Sequence, residues 1–141
     1  MCIRDRLKDY PSSKWADRSA FGVARVAIRQ GKPESAIKLL DRLLGQEVES
    51  DLKREILMLR AVSLRKKGDH AASLRDLEEL LEQNITGDLR SDALLMAATS
   101  HVETEHPGLA RQCLQSILDD QPTYSRKDQV IYQLALSLIH L

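Results

Sequence analysis

His101, Glu103, Glu105 and His106 crowd into six consecutive positions, a set of imidazoles and carboxylates of the types that ligate zinc. A His-Glu-x-x-His helix would set its two imidazoles four residues apart on one face. Here the histidines are five apart and leave different faces, so they read as a helix-end pair beside a turn. His70 follows Asp69 and reads as a solvated residue near a helix start, and His140 lies beside the chain end. Glu78-Glu79, Glu82 and Asp119-Asp120 sit next to leucines expected to be buried. General acid–base work needs a pocket that shifts a pKa, and no pattern in the chain supplies one, so these carboxylates read as charge on a wet face. Cys113 adjoins Leu114 and reads as a small, partly buried apolar residue rather than a nucleophile. Phosphate loops, dinucleotide fingerprints and Gly-x-Ser-x-Gly elbows are absent. The expectation is a non-catalytic chain with no cofactor and no metal.

The elements that would position any site recur. Ala24, Ala61, Ala98 and Ala135 stand 37 residues apart. The same interval relates Leu40, Leu77 and Leu114; Leu43, Leu80 and Ile117; Leu44, Leu81 and Leu118; and Phe21, Met58, Leu95 and Tyr132. Leu40, Leu43 and Leu44 fall at i, i+3, i+4, which is one stripe of a helix. Each unit therefore buries one side and wets the other, and units of roughly 20–50 residues must lean on their neighbours to do so. Punctuation keeps the same phase. Ser13, Ser50 and Gly87 precede first helices as N-cap types. Gly31 and Gly68 close those helices, Pro33 suits the first turn of the next, and Asp69 can cap its equivalent. In the third unit Glu105 stands in the glycine column, and His106-Pro107-Gly108 is expected to make the turn instead.

The pattern predicts helices near 14–30, 33–45, 51–67, 70–83, 88–104, 107–120 and 125–139, and no strands, hence an all-α class. The array is expected over 7–135, with repeats near 10–46, 47–83 and 84–120 and a half repeat at 121–135. The alanine column is the expected point of close contact between paired helices.

A small residue at Ala24, a second at Ala36 and large apolar residues at Leu40 and Leu43 resemble the tetratricopeptide repeat. Ala61, Ser73, Leu77 and Leu80 repeat the pattern, as do Ala98, Ala110, Leu114 and Ile117. The interval exceeds the family's roughly 34 residues. Its Trp column is Ala20, Leu57, Leu94 and Ile131 here, and its Tyr column Ala27, Leu64, His101 and Leu138. Tyr10-Pro11-Ser12-Ser13 with Ala16-Asp17, and Gly68-Asp69-His70-Ala71-Ala72, resemble the longer repeats of bacterial cell-envelope and scaffolding proteins. The resemblance implies a right-handed superhelical array of antiparallel helix hairpins, about three and a half repeats.

Met1-Cys2-Ile3-Arg4-Asp5-Arg6 and Leu136-Ser137-Leu138-Ile139-His140 resemble translations, on opposite strands, of a transposase mosaic end used in sequencing libraries. Leu141 departs from that match. Residues 1–6 and 136–141 are accordingly expected to be adapter-derived, with the native start missing and the compartment, envelope, periplasm or cytoplasm, open. The chain carries 21 Lys+Arg and 21 Asp+Glu. Such balance argues against general nucleic-acid binding, which needs a basic footprint. No apolar run approaches the roughly 18 residues of a membrane span. Setting Cys2 aside leaves Cys113 alone, without an internal disulfide partner.

The resemblance places the first helix of every unit on an inner concave wall. Its non-core residues would be Arg18, Phe21, Arg25, Ile28 and Arg29; then Glu55, Met58, Val62, Arg65 and Lys66; then Asp92, Leu95, Thr99, Val102 and Glu103. Apolar residues beside a basic patch suit a protein or peptide segment with hydrophobic anchors and one acidic end. Two readings stand for Phe21, Met58 and Leu95, which could instead pack between units. Two functions stand as well: a scaffold or adaptor without catalysis, and a structural or regulatory segment of a larger enzyme or envelope-assembly protein.

Overall fold

The computed structural model describes residues 12–139. Residues 1–6, His140 and Leu141 of the adapter-like termini lie outside them. Seven helices occupy the described residues: α1 Ser12–Arg29, α2 Pro33–Leu44, α3 Ser50–Lys67, α4 His70–Glu82, α5 Gly87–Glu103, α6 Pro107–Asp120 and α7 Lys127–Ile139. Each lies within two residues of its predicted bounds, and no strand occurs among the described residues.

The boundaries follow from local chemistry. Pro33 opens α2 at its first turn, where a missing N–H removes a donor that has no helical partner anyway. Asp69 caps α4, its Oδ1 accepting from Ala72 N at 3.2 Å. α1 closes with Gly31 at φ +75°; Gly31 N donates to Ile28 O at 3.0 Å and Lys32 N to Ala27 O at 2.8 Å. That nested pair is a Schellman closure, which needs one left-handed residue. α5 ends with the same two bonds in the same phase, Glu105 N to Val102 O at 3.1 Å and His106 N to His101 O at 2.7 Å. Glu105 itself takes φ +64°. The turn expected from His106-Pro107-Gly108 is therefore made by Glu105, in glycine's conformation and at glycine's position.

The helices fall into two compact units, Met1–Lys67 and Gly68–Leu141. In the first, α2 packs on α1 and on α3, and α1 touches α3 more lightly. Its core joins Ala24, Ala27 and Ile28 to Ala36, Leu40 and Leu43 and to Leu52 and Ile56, with Phe21, Leu44 and Val48 around it. In the second, α5 packs on α4 and α6, α6 packs on α7, and α5 touches α7. Its core joins Leu94, Leu95 and Ala98 to Ala110, Leu114 and Ile117 and to Tyr124 and Val130. The small columns serve close approach as expected. Ala24, Ala61 and Ala98, and likewise Ala36, Ser73 and Ala110, have no exposed surface. Ala135 departs from its column and is exposed.

A third small column runs through Ser63, Ser100 and Ser137, again 37 apart and each buried. A helix can satisfy such hydroxyls from its own carbonyls. Ser63 Oγ donates to Leu59 O and Ser137 Oγ to Leu134 O, both at 2.7 Å. Ser100 Oγ is buried without a hydrogen-bond partner.

Candidate functional site

The predicted groove residues divide between the units. In the first, α1 carries Arg18, Phe21, Arg25, Ile28 and Arg29, and α3 carries Met58, Val62, Arg65 and Lys66. These two helices touch, and Arg18 Nη1 stands 3.6 Å from Glu55 Oε2 across them, both side chains in solvent. An exposed pair of this kind orients more than it stabilises. The side chains differ in availability. Arg18, Arg25, Arg29, Arg65 and Lys66 are exposed, and Met58 and Val62 are half-buried. Phe21 is half-buried against the unit's core, and Ile28 belongs to that core. Ile28 is thus packing surface rather than an open contact.

Charge gathers at one end of this face. Arg29 lies in the last turn of α1, and Arg65, Lys66 and Lys67 in the last turn of α3. Cations there complement the negative ends of the helix dipoles, so part of their role is helix stability. Beside them a shallow pocket of ≈410 Å³ is bounded by Gly31, Lys32, Pro33, Glu34, Ser35 and Lys67. Lys32, Lys67, the Glu34 carboxylate and the opening turn of α2 line that space, two cations against one anion.

In the second unit the groove residues are Leu95 and Thr99 on α5. Leu95 is buried in the core, the packing reading of that position. Thr99 Oγ1 donates to Leu95 O at 3.0 Å and accepts from Gln133 Nε2 of α7 at 3.1 Å. It therefore links α5 to α7. Asp92, two turns earlier, accepts from the buried Tyr124 hydroxyl. Gln121 Nε2 donates to Asp88 Oδ1 at 2.8 Å while its Oε1 accepts from Ser91 Oγ at 2.5 Å, and Arg90 stands 3.1 Å from Asp120. These contacts fasten the α6–α7 loop to α5. Burial first, then the Asp92 hydrogen bond and charge, push the Tyr124 phenol above its ordinary value. Sequence reasoning passed over this network, because Gln121 and Tyr124 lie in a loop where the repeat pattern lapses.

Of the residues that opened the sequence reading, His101 and His106 come together, although their i, i+5 spacing was expected to send them to different faces: α5 ends at Glu103 and His106 lies beyond it in the turn. The His101 and His106 rings meet edge to face at 6.4 Å. No group of three His, Cys, Asp or Glu side chains placed to hold a metal occurs among the described residues. Burial, then the charge of His106, lower the His101 pKa, while Glu78 raises it. Burial raises that of the Cys113 thiol, opposed by Arg90, which is the behaviour of a packed thiol rather than an activated one. His70, expected in solvent, is half-buried, and its Nδ1 is buried without a hydrogen-bond partner.

Residues 22–88 match the family model described as Tetratricopeptide repeat. Residues 22–88 carry tetratricopeptide repeats. The match runs from the middle of α1 to the start of α5, and the all-helical array of consecutively packed neighbours agrees with it. No curated protein matched the chain. Tetratricopeptide repeats are in general protein–protein interaction modules, and typically non-catalytic. No helix among the described residues is long and apolar enough to cross a membrane.

Proposed function

We propose that the chain is a scaffold or adaptor module without catalysis of its own, and that it binds a peptide or protein segment along the α1–α3 face of its first unit. The observation that carries this reading is the juxtaposition on two touching helices of half-buried Phe21, Met58 and Val62 with exposed Arg25, Arg29, Arg65 and Lys66. Half-buried apolar side chains supply anchor contacts, while guanidinium groups clamp carboxylates in a fixed fork. The preferred ligand is an apolar segment with an acidic end directed toward Arg29, Lys66 and the lysine-lined pocket at the α1–α2 turn. Leu95 and Thr99 occupy the corresponding columns of the second unit, where they contribute packing and a helix-to-helix hydrogen bond.

Selection of a random peptide library against the purified chain tests the reading. Enriched peptides should combine apolar anchors with clustered Asp or Glu. Reversing charge in an Arg25→Glu, Arg29→Glu variant should weaken them at least about tenfold, or roughly 1.4 kcal/mol, with the helical circular dichroism unchanged. Peptides without acidic residues, or binding indifferent to the double variant, would reject it.

A further inference from the structure

Two ion pairs set the register of α1 on α3. Lys14 Nζ stands 4.0 Å from Glu49 Oε2, just before α3, and Arg18 Nη1 stands 3.6 Å from Glu55 Oε2. The partners advance together along the chain, so the two helices run parallel. Eleven residues make three helical turns to within about 20°. Carried that far on both helices, the register that matches Arg18 with Glu55 brings Arg29 level with Lys66, cation to cation. Arg25 lies one turn before Arg29 on the same face of α1. All three side chains are exposed. No carboxylate among the described residues is within ion-pair distance of them. Of the acids nearest in sequence, Glu34 lines the pocket with Lys32 and Lys67, and Asp69 accepts from Ala72 N. The helix dipole accounts for cations in a last turn only, which leaves Arg25 outside its reach.

We infer that the α1–α3 face, on its peptide-binding reading, takes a segment phosphorylated on serine or threonine, with the phosphoryl group held by Arg25, Arg29 and Lys66. Charge and valence choose phosphate over carboxylate. A carboxylate brings one negative charge and two acceptor oxygens. A phosphomonoester at pH 7 brings about −1.5 to −2 and three acceptor oxygens. It meets three cations, two of them guanidinium forks that bind phosphate bidentately and the third a point charge. The dianion also relieves the repulsion between Arg29 and Lys66, which a single negative charge leaves in part. Half-buried Phe21 and Met58, level with each other in the same register, supply apolar contacts on the same face. Phosphorylation of the partner thereby switches its binding on.

The probes are three degenerate peptide pools, identical except for a fixed central phosphoserine, aspartate or serine, passed over the immobilised full chain. The phosphoserine pool should be retained at least about tenfold more strongly than the aspartate pool, and the serine pool least. An Arg29→Gln, Lys66→Gln variant should lose at least about tenfold of the phosphoserine retention. A Lys38→Gln, Arg42→Gln variant, which removes the same charge from exposed positions of α2, should retain it as the parent does. All four positions are exposed, so both variants should keep the parent's circular dichroism. Retention of phosphoserine relative to aspartate should rise from pH 5 to pH 7.5, because the second phosphate proton leaves near pH 6. Equal retention of the aspartate and phosphoserine pools, or a ratio flat with pH, overturns the phosphate assignment and leaves the peptide-binding reading standing. Retention of no pool overturns both. Equal loss in the α2 variant overturns the assignment too, since the effect would then be one of net charge.

Discussion

His101 is the residue whose surroundings most clearly tie charge to folding. It stands in a column otherwise filled by Ala27, Leu64 and Leu138, an apolar position in which an imidazole is accepted best when neutral. Burial and the facing His106 hold its pKa below the ordinary 6.5, with Glu78 pulling the other way. A base whose folded pKa is lowered binds fewer protons in the native state than in the unfolded one. Its contribution to stability is therefore complete above about 6.5 and is lost as pH falls through the lower folded value. We expect the melting temperature to drop between roughly pH 7.5 and pH 5, and to drop less in His101→Gln. Equal loss in the two proteins would remove His101 as the cause. The sequence reading set His101 and His106 on different faces of one helix; their rings meet instead, because α5 ends at Glu103 and His106 lies beyond it in the turn. It did not disclose the orphaned Nδ1 of His70 or the burial of Ile28, since both depend on which neighbouring helix covers a given face.

Helix ends show how far a repeat can be read and where it misleads. Gly31 and Glu105 close α1 and α5 with the same pair of backbone bonds, so a change of residue at this phase left the turn intact. The sequence reading shifted the turn to His106-Pro107-Gly108 because a glutamate seldom takes a left-handed φ. Backbone hydrogen bonding at both sides of the residue outweighs that preference. Left-handed backbone costs a residue with a Cβ roughly 1–2 kcal/mol, partly offset on substitution by the greater freedom of glycine in the unfolded chain, about 0.4–1 kcal/mol. Glu105→Gly should thus stabilise the protein by up to about 1 kcal/mol, measured by urea denaturation. Glu105→Ala, which retains a Cβ, should give no such gain. If alanine stabilises as much as glycine, the carboxylate rather than the backbone is responsible. The other boundaries were legible because Pro33, Asp69 and Gly31 act through bonds within one turn. The buried serine column at Ser63, Ser100 and Ser137 was equally available in the 37-residue interval, and was missed because serine is not counted among core residues.

Across the molecule, periodicity alone was enough to call an all-α repeat chain, since every stripe that it marked had to be buried by a neighbour. Periodicity could not say that Ala135, in step with Ala24, Ala61 and Ala98, would be exposed among the described residues. In each unit the principal packing joins helices that are consecutive in the chain, α1 with α2, α2 with α3, and onward from α4 to α7. Such wiring has a kinetic outcome. Closing a contact between adjacent helices fixes only a short loop, so the entropy surrendered before native energy is gained stays small. Stopped-flow or temperature-jump refolding should show the main phase within roughly microseconds to milliseconds. Substitutions confined to a single hairpin should alter that rate chiefly when they fall in the hairpin that assembles first.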